Sequence, residues 1–325
     1  DSVNYVEVGY LSNTGNGNFL SAVDVDALTT RYPCFKGAPD NIAVIFDYGD
    51  YDHSSRLPEK RTDNPVAMVR VVAAVRQLTA DLRSTLQDIR AKGYKVTLNI
   101  MASSHVDDWG ALVEVLSAWP LQVDALYVAD SFGSLRPKDV RRILGQLRSL
   151  NVPLGFHAHN NLQLAFANTM AAAPYTSIVD ATLHGYGKGA GNAPLELVLN
   201  EVSGTLRPEL LDFLGSSLFE SQVLQSHGGY TAKFAITGMH DVSSRNGEFW
   251  HGKLSGLDKF LTSHDREVKR SRPRVCCLIP ARLGATRLPG KLLLPIDGTS
   301  AISHTCRRVA QAKSIDKCYV VTDSD

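Results

Sequence analysis

The chain has 325 residues, 44% of them hydrophobic, and a formal net charge of +1. This is ordinary globular composition, long enough for a full barrel or two domains, and near-neutral charge gives no footing for nucleic-acid or membrane-surface binding. No apolar run approaches the ~18 residues of a membrane span, and the opening DSVNYVEVGY lacks the basic and apolar regions of a signal peptide. The five cysteines (Cys34, Cys276, Cys277, Cys306 and Cys318) form no CxxC pair and no even framework, which points to a reducing cytoplasm.

In chain order, short apolar runs alternate with helical patterns. Tyr5–Gly9, Asn41–Asp47, Ala67–Ala73, Lys95–Met101 and Ala125–Asp130 read as strands. A short helix is expected over Ala22–Thr30. Gln77–Lys92 carries Leu78, Leu82, Leu86 and Ile89 on one helical face, with Gly93 as its stop. Asp108–Trp119 is the next helix, and Pro137 opens another. Two further strands lie in Pro153–Glu196. Such regular alternation implies parallel β/α units, and polar clusters after the strands favour a TIM-type barrel over a doubly wound sheet. A barrel needs eight strands and seven are visible, so the expectation is a barrel lacking its first strand, truncated at the N-terminus.

The most informative stretch is Pro153–Glu196. Its first part ends a strand in His157-Ala158-His159, followed by Asn160-Asn161 and an Ala-rich helix. Residues two apart on a strand share a face, so the two imidazoles could grip a divalent metal together. The bland alternative is a hydrogen-bonded histidine pair. Its second part runs into the Gly-rich loop Gly185–Gly191, then Asn192 before a Pro194-led helix. Glycines there let backbone approach a ligand closely. Asn192 is a candidate beside the metal, or simply a helix cap. His184 is a candidate catalytic residue, or a packed strand-end histidine. His53 and His105 also follow strands, where a general base could sit. His227, His240 and His251 are scattered and read as surface or packing residues.

From about Arg207 the pattern turns helical, over Pro208–Phe219, and then polar. Residues 1–260 are expected to form the barrel with its extension, and 261–274, rich in Lys and Arg, a linker. A second unit follows over 275–325. It comprises strand Val275–Ile279, the basic loop Pro280–Lys291, a turn at Asp297-Gly298, a helix over Ser300–Ala312 and a strand Tyr319–Asp323. Strand, basic loop, helix, strand is part of a nucleotide-binding α/β domain.

The strings GFHAHNNLQLAFAN and DATLHGYGKGAGNAPLE resemble the metal-dependent 4-hydroxy-2-oxovalerate aldolases, within the wider HMG-CoA-lyase-like TIM barrels. YVEVGY and YVADSFGSLRP extend the likeness over roughly residues 4 to 200. The resemblance implies that His157, His159 and Asn192 bind a divalent metal (Mn, Mg or Zn). It also implies that Ser131 meets the keto-acid, although a plain loop-turn hydroxyl is an equal reading. The family's third ligand, an Asp on the first strand, and the Arg beside it have no counterpart here, and Asp1 is no substitute. The second unit, LIPARLGATRLPGKLLLPIDG with VVTDSD, is similar to 3-deoxy-manno-octulosonate cytidylyltransferases. That likeness implies CTP with Mg, its triphosphate held by Arg282, Arg287 and Lys291; Asp323 is a weak candidate.

Together these imply an aldolase using a pyruvate enolate, with keto-acid and aldehyde substrates, fused to a nucleotidyltransferase. Consecutive steps toward a surface-polysaccharide sugar acid, in the cytoplasm, would explain the fusion; a homo-oligomer is compatible with it. The alternatives are an acetyl-CoA-dependent Claisen acyltransferase and a catalytically incomplete scaffold barrel.

Overall fold

The computed structural model describes residues 3–11, 28–31, 33–35, 40–49, 57–119, 122–204, 232–243, 276–281, 290–312, 315 and 317–322. The chain divides into two compact units, Asp1–Asp265 and Arg266–Asp325.

In the first unit seven strands form one parallel sheet: β1 (Val6–Tyr10), β2 (Ile42–Asp47), β3 (Val66–Ala74), β4 (Lys95–Met101), β5 (Ala125–Asp130), β6 (Leu154–Ala158) and β7 (Ile178–Val179). They are hydrogen-bonded in chain order, with β1 and β7 at the edges. Parallel neighbours need crossover connections. These carry α1 (Ala80–Ala91), α2 (Trp109–Ser117), α3 (Pro137–Leu147) and α4 (Ala165–Ala172); α5 (Leu195–Ser203) and α6 (Ala232–Met239) follow β7. All seven expected strands are present: the first five lie within one residue of their expected bounds, and the other two fall inside Pro153–Glu196.

The helices start and stop where local chemistry dictates. Thr79 caps α1 by accepting the Leu82 N–H at 3.4 Å, and Gly93 follows it at φ +93°. The helix starts at Ala80 rather than Gln77 because Val75–Gln77 forms a 3-10 turn, in which Gln77 Oε1 accepts the Ala74 N–H at 2.8 Å. Asp108 caps α2 through the Gly110 and Ala111 N–H groups. In α3, Val140, Ile143, Leu144 and Leu147 form one buried stripe, each worth about 1.5–3 kcal/mol relative to exposure. Of the expected helix over 22–30, one turn is described, Leu28–Arg31.

Strand alternation separates the two faces of this sheet. Val69, Val71 and Ala73 of β3, Val96, Leu98 and Ile100 of β4, and Leu126 and Val128 of β5 join one core with the helix stripes. Leu154, Phe156 and Ala158 of β6 belong to the same core. The intervening residues Arg70, Thr97, Asn99, Tyr127, Gly155 and His157 face the other way. Register keeps them in neighbouring rows, with Arg70 opposite Thr97, Asn99 opposite Tyr127, and Tyr127 opposite Gly155.

This second face is concave. Arg70 on β3 ion-pairs with Glu7 on β1 and with Asp180, the residue after β7. In a flat sheet β3 and β7 would stand about 19 Å apart, at ~4.8 Å per strand, beyond the reach of an arginine. The sheet therefore curls into a half-barrel with polar side chains inside.

In the second unit β8 (Cys276–Ala281) pairs in parallel with β11 (Lys317–Thr322). Between them lie β9 (Pro295–Ile296), β10 (Thr299–Ser300) and α7 (Ala301–Ala310). The β9–β10 hairpin turns at Asp297 (φ +48°) and Gly298 (φ +74°), both left-handed as a two-residue hairpin turn requires. Ser300 caps α7, accepting the Ser303 N–H at 3.3 Å, so the helix begins one residue after the serine. Among the described residues no helix is long and apolar enough to cross a membrane.

Candidate functional site

His157 sits one residue before the end of β6, and His159 follows on the same face. Their ring centroids are 5.1 Å apart and nearly perpendicular. His157 Nδ1 lies 2.9 Å from Asp180 Oδ2, which leaves Nε2 as the nitrogen available to a ligand. Burial, then the neighbouring His157 and Lys188, drive His159 down to about 3, against a hydrogen bond to the Lys188 backbone. His159 is therefore neutral at ordinary pH, the state in which an imidazole ligates a metal.

Asn192 is brought beside this pair by backbone pairing. His159 and Asn192 form an antiparallel bridge, and the Asn160 N–H donates to the Gly191 carbonyl at 2.8 Å. The Asn192 side chain does not cap α5, which begins at Leu195 after Pro194 with no side-chain cap. That corrects the helix-cap reading. Its Oδ1 is buried with no hydrogen-bond partner among the described residues, a costly state unless a ligand completes it.

The Gly-rich loop is shaped around this asparagine. The Asn192 N–H donates to the Gly185 carbonyl at 2.8 Å, closing the loop on itself. A Cβ on Gly187 would lie 2.3 Å from Asn192 Nδ2, and one on Gly191 (φ +93°) would lie 2.2 Å from Gly185 O. Here the glycines admit the asparagine and the loop's own backbone.

Beneath the histidines runs a charged cluster. Arg70 Nε lies 2.8 Å from Glu7 Oε2, its NH1 group bonds Asp180 Oδ2, and its Cζ stacks 4.5 Å from the Tyr127 ring centroid. Burial alone would raise the Asp180 carboxyl. The Arg70 charge and hydrogen bonds from His157 and Arg70 outweigh it and hold the group below the usual carboxylate range. Burial and then Asp180 push the Tyr127 phenol up. Gly155 makes room for that ring, since a Cβ there would lie 2.6 Å from Tyr127 Cδ1.

Sequence reasoning assigned Glu7, Arg70, Tyr127 and Asp180 no role. One signal was available for Arg70: a lone charge inside the apolar run Ala67–Ala73 must find partners. Asp180 stands at the head of the DATLHGYGKGAGNAPLE string, where nothing local marks it as a partner of Arg70.

The remaining candidates fall at the rim. Ser131 Oγ accepts the Ala102 N–H at 2.9 Å and so ties the β4 and β5 loops. His184 adopts φ +53° with its side chain 54% exposed; its N–H donates to Glu196 Oε2 at 3.0 Å. His105 contacts the Asp241 carbonyl at 2.8 Å, and Asp241 accepts the Ser104 hydroxyl at 2.6 Å and the Ser134 hydroxyl at 2.5 Å. These contacts dock α6 over the loops, helped by Asn161 Nδ2 donating to the Phe234 carbonyl at 3.2 Å. Asp130 points the other way, accepting the Ser134 and Leu135 N–H groups; burial raises it to about 7. In the second unit Lys291 begins a 3-10 turn after Gly290 (φ +68°). Arg282, Arg287, Asp323, His53, His227, His251, the helix over 208–219 and the linker 261–274 lie outside the described residues.

Among the described residues no three of His, Cys, Asp and Glu converge to hold a metal. Two largely buried imidazoles do lie side by side, with Asn192 and its buried amide oxygen on the segment bridged to His159 and with Asp180 committed to Arg70 and His157. Nitrogen and oxygen donors with open positions suit a divalent cation that also takes substrate, so the residues fit such an ion.

Residues 58–213 match the HMGL-like family and residues 276–325 match the cytidylyltransferase family. The chain is 40% identical over 121 residues to 4-hydroxy-2-oxovalerate aldolase 2 of Salinispora arenicola, covering 36% of this chain and 34% of that protein. It is 30% identical over 189 residues to 4-hydroxy-2-oxovalerate aldolase 1 of Dechloromonas aromatica, covering 57% and 53%. The chain thus spans about half or less of the curated relatives it matches. Among solved structures, the N-terminal domain of a Bacteroides vulgatus protein aligns with a TM-score of 0.64 at 22% identity, covering 79% of this chain and 87% of that one. That likeness supports the half-barrel fold.

Proposed function

We propose that this chain, which carries an HMGL-like α/β barrel domain followed by a cytidylyltransferase-like unit, makes or breaks a carbon–carbon bond next to a 2-keto acid and activates a sugar acid with CTP. The observation that supports the first activity best is the pairing of the His157 and His159 rings beside Asn192, whose buried Oδ1 has no hydrogen-bond partner among the described residues.

His157, His159 and Asn192 would hold a divalent cation (Mn, Mg or Zn). Such an ion supplies Lewis-acid stabilisation of the negative charge that develops on a keto oxygen. The chain's own contribution is positional. His159 stays neutral at working pH, the glycines admit Asn192 to its place, and α6 is hydrogen-bonded onto the rim loops. Ser131 would contact the keto-acid, although its hydroxyl already receives the Ala102 N–H. His184 would exchange a proton with the aldehyde-derived oxygen from its half-exposed place at the rim.

In the second unit Arg282, Arg287 and Lys291 would bind the triphosphate of CTP with Mg. Basic side chains amid Gly and Pro suit a flexible anion. The domain limits that go with this reading are 1–260, a linker over 261–274, and 275–325. Consecutive steps then follow: pyruvate joined to a sugar-derived aldehyde gives a 2-keto-3-deoxy acid, and CTP converts it to a CMP ester, as surface-polysaccharide synthesis requires. A homo-oligomer in the cytoplasm is compatible with this role.

The test is incubation of the protein with Mn²⁺, Mg²⁺, pyruvate, CTP and a panel of aldoses, with products read by mass spectrometry. A CMP-linked pyruvate adduct is expected. Absence of such a product with every aldose would overturn the sugar-acid role.

A further inference from the structure

We propose that Asp180, itself anchored by Arg70, is the positioning residue of the candidate metal site: it keeps the His157 proton on Nδ1 and so presents Nε2 to the cation. This rests on the metal reading above and concerns residues to which that reading gives no part.

The geometry carries it. Asp180 Oδ2 receives both an Arg70 NH1 donor and, at 2.9 Å, His157 Nδ1. A carboxylate paired with an arginine can only accept, so the hydrogen in the second contact must belong to the imidazole. A neutral imidazole with its proton on Nδ1 has its one lone pair on Nε2. A carboxylate behind a ligating histidine also fixes the ring plane and raises the basicity of the ligand.

Arg70 gives the device its rigidity. Its guanidinium is held on three sides: by Glu7 at 2.8 Å, by Asp180, and by the Tyr127 ring at 4.5 Å. Glu7 comes from β1 and Asp180 follows β7, so the orientation of His157 depends on both edges of the sheet at once. His159, by contrast, has a backbone partner at Lys188 and no carboxylate behind it among the described contacts. The two imidazoles are therefore unequal, and His157 is the better fixed.

The first measurement needs no substitution. Long-range ¹H–¹⁵N correlation spectra of the metal-free protein, labelled at histidine, report the tautomer of each ring. His157 is expected with its proton on Nδ1; a proton on Nε2 would overturn the proposal. The second compares Mn²⁺ affinity of the native protein with that of Asp180→Leu, folding being checked by circular dichroism. A 10–100-fold weaker Kd is expected, together with a mixed His157 tautomer; an unchanged Kd in a folded variant would overturn the proposal. Should Asp180→Leu fail to fold, the native tautomer decides. His157→Ala separates the two claims, because native-like Mn²⁺ binding by that variant would sink the metal reading itself, whatever the tautomer.

Discussion

Arg70, in the middle of β3, and Asp180, just beyond β7, form a buried ion pair across the inside of the curled sheet, and Glu7 of β1 lies 2.8 Å from the same guanidinium. One side chain thus links the two edge strands. Removing one partner of a buried pair leaves an uncompensated charge, which costs about 3–5 kcal/mol. Arg70→Met leaves two carboxylates and is expected to lose about that much. Urea denaturation measures it, and a loss below about 1 kcal/mol would show that the two edges do not depend on this contact.

Gly155→Ala tests the inner packing from the opposite strand. The added methyl would sit 2.6 Å from the Tyr127 ring, which is wedged against Arg70. Overpacking of this kind costs about 1–3 kcal/mol. The double variant with Tyr127→Leu should recover part of the loss, since the clashing ring is gone. Thermal melts of the single and double variants check both statements; additive losses would mean the ring is not what Gly155 accommodates.

Gly187→Ala bears on the site without altering a candidate ligand. Its methyl would meet Asn192 Nδ2 at 2.3 Å and push the amide from its place. Isothermal titration with Mn²⁺ should show affinity falling by roughly an order of magnitude, in line with the cost of disturbing a ligand's support. Retention of native affinity would remove Asn192 from the site.

Asp130 sets a pH dependence of the opposite sense to that of most acids. Its folded value, raised to about 7 by burial, exceeds the unfolded ~3.9. The fold therefore favours the protonated group. The stability this contributes is fully present below about pH 4 and is lost as pH rises through about 7. The full effect is on the order of 4 kcal/mol. Asp130→Asn keeps an acceptor for the Ser134 and Leu135 N–H groups and cannot ionise. The stability difference between native and variant should shift in the variant's favour from pH 5 to pH 8 by a few kcal/mol, read by denaturant titration at each pH. A pH-independent difference would place the carboxyl's ionisation elsewhere.

Much of the fold was legible because its signals are local. Lys95–Met101 and Ala125–Asp130 are strands to the residue, since apolar alternation and flanking turns leave little choice. The start of α1 was not legible, because Gln77 spends its side chain on the Ala74 N–H rather than joining the helix. In the site, the His157–His159 spacing predicted a shared face and the structure shows it. The glycine pattern suggests room for a ligand, whereas Gly187 and Gly191 make room for Asn192 and the loop itself. The charged cluster stayed hidden for a plain reason. Glu7, Arg70 and Asp180 are far apart in sequence, and only the curl of the sheet, a long-range property, brings them together.

The central claim is that this protein generates carbanion character next to the keto group of pyruvate at a cation held by His157 and His159. The most direct measurement is loss of the pyruvate methyl proton signal in ²H₂O, followed by ¹H NMR, which requires no knowledge of the aldehyde. The account predicts methyl exchange that needs Mn²⁺ or Mg²⁺, stops with chelator, and is abolished in His157→Ala and His159→Ala. No exchange by the metal-loaded native protein, or exchange undiminished in both histidine variants, would contradict it.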